Sequence, residues 1–184
     1  MDNIMLDLET MGNGPNAAIV AIGAVEFDLD NFVIGNTFYE IVDLESSIKS
    51  AKGVVDASTV YWWLQQSDKA RSEICSDKAI SIHGVLAMLY NWVDRCCPNE
   101  GMKVWGNSSA FDNVILRTAY QRCGMEPPWG FWNDRCYRTV RELMLPKIDF
   151  EHVGESHLAV DDAMSQVLHL FKLIQRDKDK RYCI

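Results

Sequence analysis

A chain of 184 residues with 48% hydrophobic content can bury one core, and we expect a single domain over residues 1–184. The formal net charge of −8 argues against a broad basic face that grips duplex nucleic acid, although a few terminal nucleotides can still be held near bound cations. No apolar run approaches the roughly 20 residues of a membrane span, and the six scattered cysteines outline no disulfide framework, so we expect a soluble, unprocessed protein of the reducing cytoplasm.

The first part of the chain predicts three strands. Residues 4–10 form an apolar run interrupted by two acids, residues 18–27 are rich in β-branched side chains, and residues 36–42 give a third strand. Residues 11–16 contain two glycines and a proline, which is typical of a turn. We therefore expect the chain to open with antiparallel strands.

Helical spacing of apolar residues dominates the middle of the chain. It predicts one helix over residues 58–75, a second over residues 82–97 and a third over residues 109–124, with Gly124 as a left-handed cap. A short strand at residues 103–106 precedes the third helix. This order indicates that helices and strands alternate after the opening strands.

The last part of the chain is irregular until its final helix. A proline-broken aromatic stretch leads to a short strand or loop near Cys136 and then to a helix over residues 139–145. Residues 146–156 are polar and aperiodic, whereas residues 160–174 carry apolar side chains at helical spacing and predict a long helix with a fraying charged tail at residues 176–181. The whole pattern is typical of an α/β domain with a mixed sheet.

Two acids lie one residue apart inside the first predicted strand. Because strand side chains alternate, Asp7 and Glu9 share one face, roughly 7 Å apart along the chain. Two like charges that close repel, and each loses hydration when buried, so the pair needs protons or cations beside it. The pattern predicts a divalent metal site at this strand end. An exposed strand end with two solvated acids is the alternative.

Two further acidic patches lie where predicted elements begin. The second contains Asp112 after Phe111, and the third contains Asp161 and Asp162 after His157. Each patch alone has a structural interpretation, because an acid in the first turn of a helix complements the helix dipole and a histidine can serve as a cap. A functional interpretation therefore depends on the three patches together.

In their order and spacing, the three patches resemble the motifs of the DEDDh exonucleases, a family of the DnaQ-like, ribonuclease-H-like superfamily. Residues 7–10 match its Asp-x-Glu-Thr strand, and residues 107–112 match its small polar run ahead of Phe-Asp. In the third motif a histidine precedes an aspartate by five positions, as His157 precedes Asp162. The chain also resembles a small bacterial and phage subgroup of exoribonucleases or exonuclease-VIII-like proteins.

The resemblance implies a fold, an activity and a cofactor. The implied fold is a ribonuclease-H-like mixed β-sheet, with antiparallel opening strands plus parallel strands, flanked by helices. The implied activity is a 3′-5′ exonuclease that releases nucleoside monophosphates from the 3′ end of single-stranded RNA or DNA, or from 3′ overhangs. The implied cofactors are two Mg²⁺ or Mn²⁺ ions, and several relatives suggest a homodimer.

The resemblance also assigns roles to individual residues. The implied metal ligands are Asp7, Glu9, Asp112 and Asp162, and carboxylate oxygens suit these hard ions. Two such ions can activate a water, orient the scissile phosphate and stabilise the departing 3′ oxygen. His157 is the implied general base, since an imidazole can accept a proton at neutral pH. His152 is the alternative base.

Substrate contacts are predicted next to the first motif and on the first long helix. Met11 matches a position where relatives place an apolar wedge, and Thr10 belongs to the motif beside it. Trp62 and Trp63 point about 100° apart on a helix, so both cannot face one core equally. By resemblance to oligoribonuclease, we assign Trp63 to substrate stacking. Packing or a dimer contact for both tryptophans is the alternative.

Two other functions remain as alternatives to an exonuclease. One is a catalytically silent nucleic-acid-binding or assembly protein of the same fold, and the other is a hydrolase of a small phosphodiester. A silent protein has no physical reason to hold four converging acids, so the intact motif set favours an enzyme. The choice between RNA and DNA depends on contacts with the 2′-hydroxyl, which no motif reports.

Overall fold

The computed structural model of the chain describes residues 1–96, 101–144 and 146–182. These residues contain a five-stranded sheet in the order β3-β2-β1-β4-β5. Its strands are β1 (Asn3–Thr10), β2 (Ile19–Asp28), β3 (Val33–Ile41), β4 (Lys103–Gly106) and β5 (Asp134–Cys136). The first three strands pair antiparallel, whereas β4 pairs parallel with both β1 and β5. The predicted mixed sheet, with antiparallel opening strands plus parallel strands, is confirmed.

Helices cover both faces of this sheet. In the described residues they are α1 (Leu44–Lys49), α2 (Ala57–Trp63), α3 (Asp68–Ile74), α4 (Ile82–Cys96), α5 (Asp112–Arg122), α6 (Tyr137–Leu143) and α7 (Ala159–Tyr182), with a 3-10 turn at Phe131–Asn133. Gly124 has a φ of +68°, which is the predicted left-handed cap after α5. None of these helices is both long enough and apolar enough to cross a membrane.

The alternating side chains of β1 contribute to two separate cores. Leu6 and Leu8 pack in the core that α4 and α5 cover. Met5, on the opposite face, packs in the second core with Val167 and other apolar residues of α7. The acids of β1 have the same parity as Met5, and they therefore face α7 rather than α4.

The first turn of α7 lies directly on the sheet because β2 has a glycine beneath it. A Cβ atom at Gly23 would lie 2.3 to 2.5 Å from backbone atoms of Ala159 and Val160. Gly23 is also the residue opposite Asp7 in the β1–β2 pairing. The missing side chain thus allows α7 to begin beside the acidic face of β1.

Local capping explains where the observed helices differ from the predicted ones. The single helix predicted over residues 58–75 is two helices, α2 and α3, because the Ser67 side chain accepts a hydrogen bond from the Ala70 N–H at 3.1 Å and starts a new helix. The short α1 was not expected from apolar spacing. It is capped by Asp43, which precedes Leu44 and whose carboxylate accepts a hydrogen bond from the Ser46 N–H at 2.7 Å.

Helix ends also differ from the sequence-based expectations. The charged segment at 176–181 continues α7 as far as Tyr182 instead of fraying. The helix predicted over residues 139–145 begins earlier, at Tyr137, and ends at Leu143. The predicted end of the second helix near residue 97, and Leu145, lie outside the described residues.

Candidate active site

A cleft of about 700 Å³ lies where the end of β1 meets the starts of α5, α6 and α7. The cleft is bordered by the five side chains for which the sequence predicts catalytic roles, namely Asp7, Glu9, Asp112, His157 and Asp162. The fold therefore brings the three sequence motifs to one place.

The two acids of β1 have different surroundings. Asp7 accepts a hydrogen bond from Gln166 Nε2 of α7 at 2.8 Å. Glu9 is 6% exposed, and its buried Oε1 has no hydrogen-bond partner among the described residues. A buried carboxylate oxygen without a partner is costly unless a proton or a cation lies beside it.

Asp112 reaches the cleft because the turn after β4 is very tight. A Cβ atom at Gly106 would lie 2.9 Å from both Cβ and Oδ2 of Asp112, so a larger residue there would displace the carboxylate. The Ser108 N–H donates to Asp112 Oδ2 at 3.3 Å. Asp112 is also the first residue of α5, where the helix dipole favours a negative charge.

The third motif surrounds the first turn of α7. Asp162 accepts a hydrogen bond from the His157 backbone N–H at 3.0 Å, and its other oxygen lies 2.5 Å from His152 Nε2. His157 has a φ of +66°, a left-handed conformation that is uncommon for a residue with a side chain. Asp161, the neighbouring acid, instead accepts from the Glu155 N–H and does not border the cleft.

Three carboxyl groups of the cleft, those of Asp7, Glu9 and Asp112, are harder to ionise than in water. Burial, and then the charges of Asp112, Glu9 and Asp162, hold the pKa of Asp7 well above its usual range, and the Gln166 hydrogen bond opposes this only in part. Burial, with Asp162 and Asp112, raises the pKa of Glu9 to about 8. Burial raises the pKa of Asp112 to about 6, against the opposing effects of backbone N–H donors.

These residues fit a divalent cation. One donor atom from each of Glu9, His157 and Asp162 lies within 4.8 Å of the others. Asp7 and Asp112 contribute further oxygen atoms and electrostatic repulsion to the same cluster. Hard oxygen donors, a surplus of negative charge and an unpartnered buried carboxylate oxygen are the properties expected of a site for a hard divalent cation.

The predicted assignment of the two tryptophans requires a correction. Trp63 is 4% exposed, and its indole N–H donates to the Thr10 carbonyl at 2.9 Å, so its ring supports the first motif from behind. Trp62 is 42% exposed and borders the cleft. Its ring packs edge-on against His157 at 4.8 Å between centroids. The orientation of α2 therefore exposes Trp62, not Trp63, at the cleft.

The other two predicted substrate contacts lie in different places. Thr10 borders a second cavity of about 420 Å³, which shares Leu8, Glu9, Trp62 and Phe111 with the cleft. Met11 is half-buried and borders neither of these two cavities. Its backbone N–H donates to the Ala18 carbonyl, so Met11 connects the end of β1 to the following turn.

Several cleft residues have no counterpart in the sequence-based prediction, and Gln166, Arg138 and Arg141 are among them. Gln166 lies four positions after Asp162 on α7, and this one-turn spacing is the signal that could have placed it on the same face. Arg138 and Arg141 border the cleft from α6. No sequence pattern distinguishes them from ordinary exposed arginines of a short helix.

The strand order and the four converging carboxylates define a class of protein, the nucleases of ribonuclease-H-like fold. The chain belongs to the Rv2179c-like family, since the model described as the 3′-5′ exoribonuclease Rv2179c-like domain matches residues 2–174. It is thus a 3′-5′ exonuclease of the DnaQ-like group, and the function predicted from its motifs is confirmed at this level.

The chain is also similar to individual nucleases. It shares 30% identity over 167 residues with an exodeoxyribonuclease of Enterobacteria phage T4, covering 79% of this chain and 73% of the phage protein. The nuclease domain of 3′hExo, a DEDDh family member bound to rAMP, matches with a TM-score of 0.60 and 15% identity over 95% of this chain and 92% of that one. E. coli exonuclease I in complex with a dA16 oligonucleotide matches with a TM-score of 0.62 and 16% identity over 92% and 40%. These two structural similarities show a shared fold.

Proposed function

We propose that this exonuclease uses two Mg²⁺ or Mn²⁺ ions held by Asp7, Glu9, Asp112 and Asp162 to hydrolyse the terminal phosphodiester at a 3′ end. The observation that supports this most directly is the convergence of four carboxyl groups, among which Glu9 keeps a buried oxygen without a described partner. When bound, the ions supply Lewis-acid activation of the attacking water and of the phosphate. We further propose that residues 1–184 act as one exonuclease domain.

His157 is the proposed general base. Its ring lies within 4.8 Å of carboxylate oxygens of both Glu9 and Asp162, where it can take a proton from the water that attacks the phosphate. Trp62 packs against one edge of this ring and limits its rotation. His152, the alternative base, is already engaged by Asp162 and serves better to hold that carboxylate in place.

The two adjoining cavities suggest the direction in which the strand lies. The second cavity is bordered by neutral polar side chains, including Asn13, Ser58 and Thr59, and by no described lysine or arginine. A 3′-terminal nucleoside carries no phosphate beyond the scissile one, so it suits such a cavity. The rest of the strand, which carries all the other phosphates, then leaves across the larger cleft.

Trp62 is proposed to stack on the substrate, and this gives a testable contrast with Trp63. Trp62→Ala should raise KM for an oligonucleotide about 5- to 150-fold, the range expected from about 1–3 kcal/mol of lost stacking. Trp63→Ala removes a buried ring and its hydrogen bond to Thr10, and should lower stability by about 3–5 kcal/mol. Steady-state kinetics and thermal unfolding of both variants would separate the two roles. An unchanged KM for Trp62→Ala would remove the stacking assignment.

We propose that the substrate is single-stranded and is either RNA or DNA. The family model is described as an exoribonuclease domain, whereas the phage T4 relative is an exodeoxyribonuclease. We propose a homodimer as well, for which Phe131 and Trp132, each 68% exposed, supply an unpartnered aromatic surface. The free thiols of Cys75, Cys96, Cys123 and Cys136 suit a reducing cytoplasm.

An assay with end-labelled oligomers tests the proposed function. With Mg²⁺ or Mn²⁺, we expect a 3′-labelled strand to release labelled mononucleotide at once and a 5′-labelled strand to shorten stepwise, and a chelator should stop both. Parallel RNA and DNA substrates then give the sugar preference. Binding without cleavage would support the silent protein, and cleavage of a dinucleotide alone would support the small phosphodiester hydrolase.

A further inference from the structure

Two arginines form the basic part of the cleft wall. Among the described residues that border the cleft, Arg138 and Arg141 are the only lysine or arginine side chains. They lie three positions apart on α6, a spacing that brings two Cβ atoms to about 5–6 Å on one face of a helix. In a chain of net charge −8, this places two permanent positive charges next to an acidic cluster.

The start of α6 is fixed relative to the catalytic acids. The Arg138 N–H donates to the Asn107 carbonyl, just beyond β4, at 3.0 Å. Asp134, at the head of β5, accepts hydrogen bonds from Asn113 Nδ2 at 3.0 Å and Arg117 Nη2 at 2.6 Å, and both donors belong to α5. The helix that carries the two arginines is therefore anchored to the elements that carry Asp112.

Both guanidinium groups are available to a ligand. Arg138 is exposed and makes no ion pair with an acidic residue in the described ranges. Arg141 lies 5.7 Å from the centre of the Tyr137 ring, which holds its stem against α6. Its contact with Glu142 at 3.2 Å is solvent-exposed and contributes little, and a guanidinium has five donors.

Besides the two arginines, the cleft is lined by several carboxylates, which oppose the negative charges of a strand. Phosphates are repelled by Asp7, Glu9, Asp112 and Asp162 unless cations lie between, and the second cavity has no described basic side chain. Arginine donors match phosphate oxygens in geometry as well as in charge. The α6 side of the cleft is thus where the phosphates upstream of the cleaved bond find opposite charge.

We propose that Arg138 and Arg141 bind the phosphates on the 5′ side of the scissile bond, so that α6 holds the part of the strand that stays intact. This inference rests on the proposed 3′-end hydrolysis and adds a subsite to it. It requires that affinity rises as a substrate gains its first one or two upstream phosphates and then levels off.

The test is a length series on wild type, Arg138→Gln, Arg141→Gln and the double variant. The substrates are the p-nitrophenyl ester of thymidine 5′-monophosphate, which has no upstream phosphate, and di-, tri- and tetranucleotides. In wild type, KM should fall from the dinucleotide to the tetranucleotide, and in the double variant this fall should disappear, with a KM for the tetranucleotide raised about tenfold or more. Arg138→Lys should keep more of this fall in KM than Arg138→Gln does, because a lysine keeps the charge without the paired donors.

A direct binding measurement makes the inference independent of turnover. Fluorescence anisotropy of a labelled decamer with Ca²⁺ measures this affinity at several salt concentrations. In the arginine variants, the slope of log affinity against log salt should be smaller than in wild type by about 0.7 per lost phosphate contact. Arg122→Gln is the matched control, since Arg122 is an exposed arginine that donates to the Lys52 carbonyl outside the cleft.

The outcomes separate the subsite from the proposed function. A double variant that keeps the wild-type length dependence and salt slope overturns the subsite, and so does an equal fold-loss on the ester and on the tetranucleotide, which indicates a structural role. If wild type cleaves none of the substrates, the proposed function fails. Arginine-dependent binding of the decamer would still establish the phosphate subsite in that case.

Discussion

Asp7→Asn is expected to lower kcat/KM on oligonucleotides by at least about a thousandfold, equivalent to about 4 kcal/mol of transition-state stabilisation. Asp7 contributes an oxygen to the carboxylate cluster and is fixed by Gln166. Its replacement removes the negative charge of one proposed metal ligand, while the neutral amide keeps nearly the same shape. The loss should therefore appear in both metal affinity and turnover, measured by calorimetric titration with Mn²⁺ and by nuclease assay.

Asp2→Asn provides the control for this substitution. Asp2 lies just before β1 and forms an exposed ion pair with Lys103 at 2.8 Å. Such a pair contributes at most about 1 kcal/mol to stability and lies outside the cleft. The control should keep wild-type activity. Near-normal activity of Asp7→Asn would mean that the carboxylate cluster is not the catalytic metal site.

Asp7→Asn should also change how the stability of the metal-free protein depends on pH. The carboxyl groups of Asp7 and Glu9 have raised pKa values in the folded state, about 8 for Glu9, against about 4 in an unfolded chain. Unfolding therefore releases protons between these values, and stability present at pH 4 is lost as the pH rises towards 8. With a chelator, the Tm of wild type should fall from pH 5 to pH 8.

Two comparisons test this origin of the pH dependence. Asp7→Asn should show a shallower fall of Tm, because one buried charge and its repulsion with Glu9 are removed. Saturating Mg²⁺ should also flatten the curve for wild type, since cations stabilise the ionised form. A Tm that is independent of pH in the metal-free wild type would contradict the raised pKa values.

His157→Ala should lower kcat by about 10²- to 10⁴-fold, the usual contribution of a general base. Its ring is adjacent to Glu9 and Asp162, but the carboxylates of the proposed metal site remain in the variant. Metal affinity should therefore change little while turnover collapses. Single-turnover kinetics and calorimetric titration of the same preparation would measure the two quantities separately.

His152→Ala is the informative comparison for the base. His152 contacts Asp162 directly, so its loss should loosen that carboxylate and weaken metal binding more than His157→Ala does. Turnover at saturating metal should be reduced less than in His157→Ala. If His152→Ala instead abolishes turnover at full metal occupancy while His157→Ala remains active, the base is His152.

The first strand and the three motifs illustrate what the sequence predicts well. Alternation along β1 separates its acids from its leucines, and this alone indicates that Asp7 and Glu9 share a face away from one core. Apolar spacing over residues 160–174 predicts the last helix, and the spacing of His157 and Asp162 marks the third motif at the start of that helix. These features are local, so they are visible without knowledge of the packing.

The choice between Trp62 and Trp63 illustrates what sequence reasoning cannot reach. The two side chains differ only in which side of α2 they occupy, and that side is decided by the hydrogen bond from Trp63 to the Thr10 carbonyl, 53 residues away in the chain. The same holds for Arg138 and Arg141, because their position beside the cleft depends on where α6 is anchored. Short capped segments such as α1 also escape prediction, since capping rather than periodicity creates them.

The hydrogen bond between Gln166 and Asp7 joins residues 159 positions apart, almost the full span of the chain. A ribosome adds residues in order, so the first strand waits for the last helix before the carboxylate cluster is complete. A fragment lacking α7 keeps His157 and three of the four acids, but it lacks Asp162 and Gln166. The carboxylate cluster is therefore complete only after α7 has been synthesised and has packed against β1.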